Sequence, residues 1–115
     1  MHHRAYREIA DDDASAEREN EAMALEHAIT LLREGQEKGM DSVEAVKARH
    51  FTRRLWYYFL DDLTMPENAL PEELRANLIS IGIWVLRELE RIEQGERDSF
   101  TDIMDVMGMI RDGLK

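Results

Sequence analysis

The sequence lacks several features on which common functional sites and targeting signals depend. It contains no cysteine, which excludes disulfide frameworks, thiolate metal ligands and cysteine nucleophiles. No apolar run approaches the roughly 18 residues of a membrane-spanning helix, because Ser80 and Gly82 interrupt the longest one. Three aspartates, Asp11 to Asp13, stand where a signal peptide needs its apolar stretch. We therefore expect a cytoplasmic protein with no membrane partner.

Positive charge is also scarce. The chain has 15 basic and 25 acidic residues and a formal net charge of -10, which argues against general affinity for nucleic acids or anionic membranes. Its 43% of hydrophobic residues is too high for a disordered acidic tail. The length of 115 residues fits one domain over residues 1–115. His2 and His3 are compatible with native residues or with an expression remnant.

Several of the few prolines and glycines lie where helices should begin or end. Because alternating β-branched segments are rare, the sequence predicts an all-α fold, a small single-domain bundle of about four helices. Residues 1–12 are expected to form a poorly ordered or short helical arm. The predicted helices run from Asp13 or Ser15 to Lys38, from a cap at Asp41 to Leu63, from Pro71 to Glu93, and from a capping box at Ser99 to Asp102 as far as Gly113.

The third predicted helix is apolar on two sides. Its main stripe consists of Leu74, Leu78, Ile81, Val85, Leu89 and Ile92, and a second stripe consists of Ile79, Ile83 and Leu86. Two such stripes indicate burial within a bundle, or one face reserved for a partner or a second copy of the chain. Gly82 is expected to permit close helix approach, since mid-helix glycine otherwise costs about 1 kcal/mol relative to alanine.

No arrangement in the sequence indicates catalysis. The internal histidines, His27 and His50, belong to no helical metal-ligand pattern, and neither a glycine-rich phosphate loop nor an activated serine is evident. We therefore expect no enzyme, and no catalytic, metal-binding or cofactor-binding residue.

A basic strip lies on the second predicted helix. Lys47, His50, Arg54 and Tyr57 share one face at 3-4-3 spacing. Cations beside an aromatic ring suit single-stranded RNA. The alternative is ion pairing of this basic region with acidic faces of neighbouring helices or with a partner.

Methionine is frequent, with seven in the chain and three in the last predicted helix. Met104 and Met109 project to either side of the stripe that contains Met107. Flexible thioethers fill gaps in cores, and they also adapt to varied apolar partners.

One long segment is specific enough to indicate a family. Residues 53–56 (RRLW) and 66–85 (PENALPEELRANLISIGIWV) resemble the FlaF family of flagellar biosynthesis regulators. The similarity extends from an early tyrosine, Tyr6, to the ending IRDGL at residues 110–114. The resemblance implies a small, cytoplasmic, helical protein that controls flagellin synthesis or secretion alongside a second regulator, FlbT. It implies chaperone-like binding of flagellin, without catalysis or a cofactor, or else contact with flagellin mRNA, alone or with FlbT.

This resemblance suggests a mechanism when it is combined with the stripes. The terminal segments of flagellin are amphipathic helices that are covered only in the filament, and a bundle with a spare apolar face offers a groove for such a helix. We expect the partner-binding residues to be Ile79, Ile83, Leu86, Met104 and Met109, with Arg75 meeting an acid of flagellin or FlbT. The residues expected to be structural are Trp56, Trp84, Pro71, Asn77 and Gly82. In the structural interpretation, Asn77 and Arg75 satisfy carbonyls of the loop near Asn68. The alternative for Arg75 is the partner contact.

Overall fold

Four helices make up the part of the chain that the structure describes. The computed structural model describes the backbone of residues 2–114 and the side chains of residues 16–114. The helices are α1 (His2–Lys38), α2 (Val43–Thr64), α3 (Glu72–Glu93) and α4 (Thr101–Leu114), with no strand between these bounds. The all-α prediction is therefore confirmed. The side chains of His2, His3 and Tyr6 lie outside the described residues.

The first helix is longer than the sequence predicted. It begins at His2, so that residues 2–12 continue α1 and its predicted start at Asp13 or Ser15 is wrong. No glycine or proline occurs before Gly35, and alanine, glutamate and arginine all have favourable helix propensity. The prediction had depended on a capping residue and an apolar stripe, neither of which is needed to continue a helix. The predicted glycine stops at Gly39 and Gly95 are confirmed, with φ of 112° and 80°, whereas α4 continues one residue past Gly113, to Leu114.

Two of the predicted helix starts are displaced by one residue. Ser42, not Asp41, caps α2, because its hydroxyl accepts a hydrogen bond of 3.0 Å from the Ala45 amide. Pro71 is the residue before the first turn of α3, not a member of that turn. Both corrections preserve the physical reason for the prediction, since a hydroxyl caps as a carboxylate does and proline has no amide hydrogen to satisfy.

The start of α4 is capped from a distant part of the chain. The Phe100 amide donates to Gln36 Oε1 of α1 at 2.6 Å, and the Thr101 amide donates to Ser99 Oγ at 3.0 Å. The capping box predicted between Ser99 and Asp102 is therefore replaced by a tertiary cap. Sequence pattern alone does not reveal this cap, because its acceptor is 64 residues away.

Neighbouring helices run antiparallel. Gly35 of α1 lies against Ala45 of α2, and the His27 ring meets the Phe51 ring edge-on at 4.8 Å. On its other side, α1 packs against α4, where Arg111 pairs with Glu26. The α3 helix packs on α2. Helix α1 thus joins a hairpin partner on one side to the last helix on the other.

A single core lies among the four helices. It is formed by Leu25, Ala28, Ile29, Leu32, Ala45, Ala48, Trp56, Val85, Leu89, Ile92, Phe100, Ile103 and Met107. From α3 only the C-terminal half of the predicted main stripe enters this core. Leu78 and Ile81 are half-buried and Leu74 is exposed, so burial of this stripe is incomplete toward the start of α3. None of the described helices combines the length and apolar character that crossing a membrane requires.

Candidate functional site

A groove runs between α2 and α3 on the surface of the bundle. It has a volume of about 440 Å³, and it is lined by Arg53, Tyr57, Ile83, Leu86, Arg87, Glu90 and Glu93. Ile83 is 41% exposed and Tyr57 is 55% exposed, whereas Leu86 packs against the core. The groove therefore has an apolar floor with charged residues around it, an arrangement typical of surfaces that bind peptide segments.

One end of the groove is fixed by an ion-pair cluster. Glu93 of α3 pairs with Arg53 of α2, and its carboxylate lies 3.8 Å from Arg49 Nε. Arg49 also donates to the Met40 carbonyl at 3.2 Å. Two of the bases near the predicted strip are thus engaged inside the molecule, as the ion-pairing alternative expected. The ion pairs of Glu93 link α2 and α3 at this end of the groove.

The basic strip itself faces solvent. Lys47, His50 and Arg54 are exposed, and within residues 16–114 no salt bridge engages them. Tyr57, the fourth member of the strip, also lines the groove. The structure therefore joins two surfaces that the sequence had predicted separately, and Tyr57 is the residue they share.

Only part of the predicted partner-binding set comes together. Ile83 and Leu86 lie in the groove, and Ile79 is half-buried one turn before Ile83 on α3. Met104 is half-buried against the core, while Met109 is 67% exposed on α4. The main packing partner of α4 is α1, and neither methionine is among the residues that line this groove. A methionine pattern within one helix carries no information on which neighbour that helix will face.

The start of α3 is organised differently from the prediction. Asn68 closes the preceding loop, because its Nδ2 donates to the Asp62 carbonyl at 3.2 Å and its Oδ1 accepts from the Leu70 amide at 3.0 Å. Asn77 is exposed and Arg75 is half-buried. Among the described residues neither of these two side chains bonds to the loop carbonyls, so the structural interpretation of Asn77 and Arg75 is not supported.

Gly82 of α3 lies close to Trp56 and Leu60 of α2. Trp56 is 1% exposed and meets the Phe59 ring edge-on at 5.4 Å. A Cβ atom at Gly82 would lie 2.8 Å from Leu60 Cδ2 and 3.0 Å from Trp56 Cε3. A side chain at position 82 would displace Leu60 or Trp56, which is the close helix approach expected of Gly82. Trp84 is half-buried at the edge of the core.

Several residues important to the site were missed by reasoning from the sequence. Arg87, Glu90 and Glu93 belong to the groove, yet in the sequence they look like the ordinary solvated face of α3. Gly35 is a second close contact, since a Cβ there would lie 2.7 Å from Ala45 Cα. Its signal was a glycine inside a good helical pattern, which indicates a packing reason when no cap is needed.

The described residues offer no centre for metal chemistry. Within this part of the chain no cluster of three or more histidine, aspartate or glutamate side chains is placed to hold a metal ion. Burial raises the pKa of Glu21, with the charges of Glu17 and Asp62 adding to the effect. Glu21 lies on α1, away from the groove, so this perturbed carboxylate does not contribute to the site.

Comparison with known families gives one match. The profile of the family described as "Flagellar protein FlaF" matches residues 2–114. No curated protein and no solved structure shows significant similarity to the chain. The match includes every residue that lines the groove.

Proposed function

Because the chain belongs to the FlaF family, whose role lies in flagellar biogenesis and its regulation, we propose that it binds flagellin in the cytoplasm as a chaperone-like partner. Binding of this kind controls how much flagellin is made or secreted. It requires neither catalysis nor a cofactor. FlbT is proposed as a second partner in the same regulation.

The apolar floor of the groove is the observation that carries this proposal. Ile83 and Tyr57 expose large apolar surface. Such a surface suits the helix-in-groove mode of binding, in which an amphipathic helix inserts side chains spaced three or four residues apart. The terminal segments of flagellin have this amphipathic character. Covering them before export keeps them from associating prematurely, while the groove gains a partner for its own exposed side chains.

The Ile83→Asp substitution tests the groove directly. A carboxylate on the floor must be desolvated when a helix docks, so we expect affinity for monomeric flagellin to fall at least about tenfold, roughly 1.4 kcal/mol. The side chain is already partly exposed, and the fold should therefore survive. The measurement is titration calorimetry at micromolar concentrations, with circular dichroism to verify folding.

Met109→Asp provides the matched control. Met109 is more exposed than Ile83 and lies on α4, away from the groove. We expect it to bind flagellin as the wild type does. If the wild-type protein fails to bind monomeric flagellin, alone or with FlbT added, the proposed function is wrong.

The exposed basic strip favours a second candidate function. Lys47 and Arg54 leave their charges at the surface, with His50 and Tyr57 on the same face, while Arg49 and Arg53 form ion pairs inside the molecule. Contact of this strip with flagellin mRNA, alone or with FlbT, would make the protein a translational regulator. Salt-dependent binding to the flagellin leader RNA, lost on combining Lys47→Glu with Arg54→Glu, would favour this candidate.

A further inference from the structure

The N-terminal half of α3 presents a core-type face that the described helices cover only in part, with Ile81 against the edge of the core and Leu74 exposed. Leu74, Leu78 and Ile81 continue the stripe of Val85 and Leu89 at helical spacing, and they point the same way from the helix. Yet Val85 and Leu89 are fully buried, whereas Leu74 is 44% exposed and the other two are half-buried. The same face of one helix is therefore core at one end and surface at the other.

The difference follows from the lengths of the helices. The 22 residues of α3 span about 33 Å and the 14 residues of α4 span about 21 Å. Arg111, in the last turn of α4, pairs with Glu26 of α1. Helix α4 thus ends beside the middle of the bundle, and the first turns of α3 continue past it. At this end of the molecule, none of the described side chains fills the position that α4 would take as a fourth helix.

Among the described residues, acidic side chains predominate at this end of the bundle, with Arg18 and Arg75 as the opposing cations. Glu17 and Glu21 come from α1, Asp62 comes from the end of α2, and Glu72 and Glu73 form the first turn of α3. Their field acts on Glu21, where Glu17 and Asp62 raise the pKa of the carboxyl in addition to burial, with Arg18 opposing them. We call the exposed stripe of Leu74, Leu78 and Ile81, together with these five acids, the open end.

We propose that the open end is a docking site for an amphipathic helix of a partner protein whose flanks carry lysine or arginine. The apolar stripe of that helix completes the four-helix layer where α4 is missing, and its cations neutralise the acidic rim. A second copy of this chain is a poor occupant. It would bring a net charge of -10 and an identical acidic rim to the contact.

This site is separate from the groove between α2 and α3. Leu74, Leu78 and Ile81 do not line the groove, and docking here does not depend on flagellin being the groove's ligand. The two sites also differ in charge, since the groove has bases beside its acids while the open end is dominated by carboxylates. They therefore select helices of different composition.

The test uses a designed amphipathic peptide of about four helical turns with a leucine stripe and lysine flanks. The control peptide has glutamate at every lysine position. Binding to the full chain is followed by fluorescence anisotropy. We expect the lysine peptide to bind at least about tenfold more tightly than the glutamate peptide at low salt, and this difference to shrink as salt screens the rim. Equal binding of the two peptides would overturn the proposal.

Substitutions locate the binding. Leu74→Asp should weaken binding of the lysine peptide at least about tenfold, whereas Val46→Asp, at a residue 48% exposed on α2, should leave it unchanged. Combining Glu72→Lys with Glu73→Lys should reduce the preference for the lysine peptide over the glutamate peptide. Unaltered binding by the Leu74 variant would contradict the assignment to this face. So would a wild-type dimer that Leu74→Asp converts to monomers, because the occupant would then be a second copy.

Discussion

Glu21 is a carboxyl group at which neighbouring negative charges affect the stability of the native state. It is partly buried on α1 and faces the charges of Glu17 and Asp62, so that desolvation and like charge both raise its pKa. A carboxyl with a raised pKa is held in its charged form at neutral pH only at a cost to the native state. The sequence could not single it out, because its neighbour Asp62 is close only in the folded chain.

The Glu21→Gln substitution should stabilise the protein at neutral pH. Because the native-state pKa of Glu21 is raised, the native state binds this proton more tightly than the unfolded chain does, and stability falls as pH rises through the raised pKa. Removing the charge restores that stability above this window and has little effect below the ordinary carboxyl value. Since the side chain is partly solvated, the gain should be below about 1 kcal/mol.

Urea unfolding near pH 7 and near pH 4 measures this effect. Glu19→Gln, at an exposed position on the same helix, is the matched control and should change stability by less than about 0.5 kcal/mol at either pH. A gain for Glu21→Gln that is equal at both pH values would show that charge is not its cause.

Two glycines set the separation between helices. Gly35 brings α1 against the backbone of α2 at Ala45, and Gly82 brings α3 against Leu60 and Trp56. Both contacts are tight enough that a Cβ atom would have to displace its neighbour. The two sites differ in what must move, because Gly82 faces side chains while Gly35 faces backbone.

Gly35→Ala should therefore destabilise the protein despite the better helix propensity of alanine. We expect a loss of about 1–3 kcal/mol from overpacking against the Ala45 backbone, measured by urea unfolding. Gly108→Ala is the control, since a Cβ there meets its nearest neighbour, Arg111 Nη2, at an ordinary 3.6 Å. That variant should gain about 0.5–1 kcal/mol. A neutral or stabilising Gly35→Ala would show that α1 and α2 can separate at little cost.

The positions of the helices could be predicted from the sequence better than the burial of their side chains. Periodicity located all four helices, and glycine stops located two of their ends. Burial depends on the lengths and rotations of neighbours, which is why Leu74 and Val85 look equivalent in the pattern and differ in the fold. The groove could not be predicted as a whole, since Tyr57 and Ile83 meet only when α2 and α3 are correctly rotated about their axes.

The whole molecule is elongated and strongly charged. Its principal dimensions are 58, 24 and 19 Å, of which the longest is close to the roughly 55 Å expected for the 37 residues of α1. Net negative charge spread over this shape repels itself and favours the unfolded chain. Internal ion pairs such as Arg53 with Glu93 oppose that effect at particular points.

Added salt should therefore raise the thermal stability of the protein. Screening weakens both the general repulsion and the exposed ion pairs, and we expect the repulsion to dominate because acids outnumber bases by 25 to 15. Raising sodium chloride to about 0.5 M should increase Tm by about 2–5 °C, as measured by circular dichroism. A decrease in Tm would instead show that the ion pairs carry more stability than the net charge removes.

The cap that Gln36 places on α4 also has a consequence for how the protein is made on the ribosome. Gln36 accepts a hydrogen bond from the amide of Phe100, which is translated 64 residues later. At about 5–20 residues per second, that interval is roughly 3–13 s. During this time the α1–α2 hairpin can form, but the side of α1 that packs against α4 has no partner. The apolar face of α1 that α4 covers in the folded protein is therefore exposed until α4 has been translated.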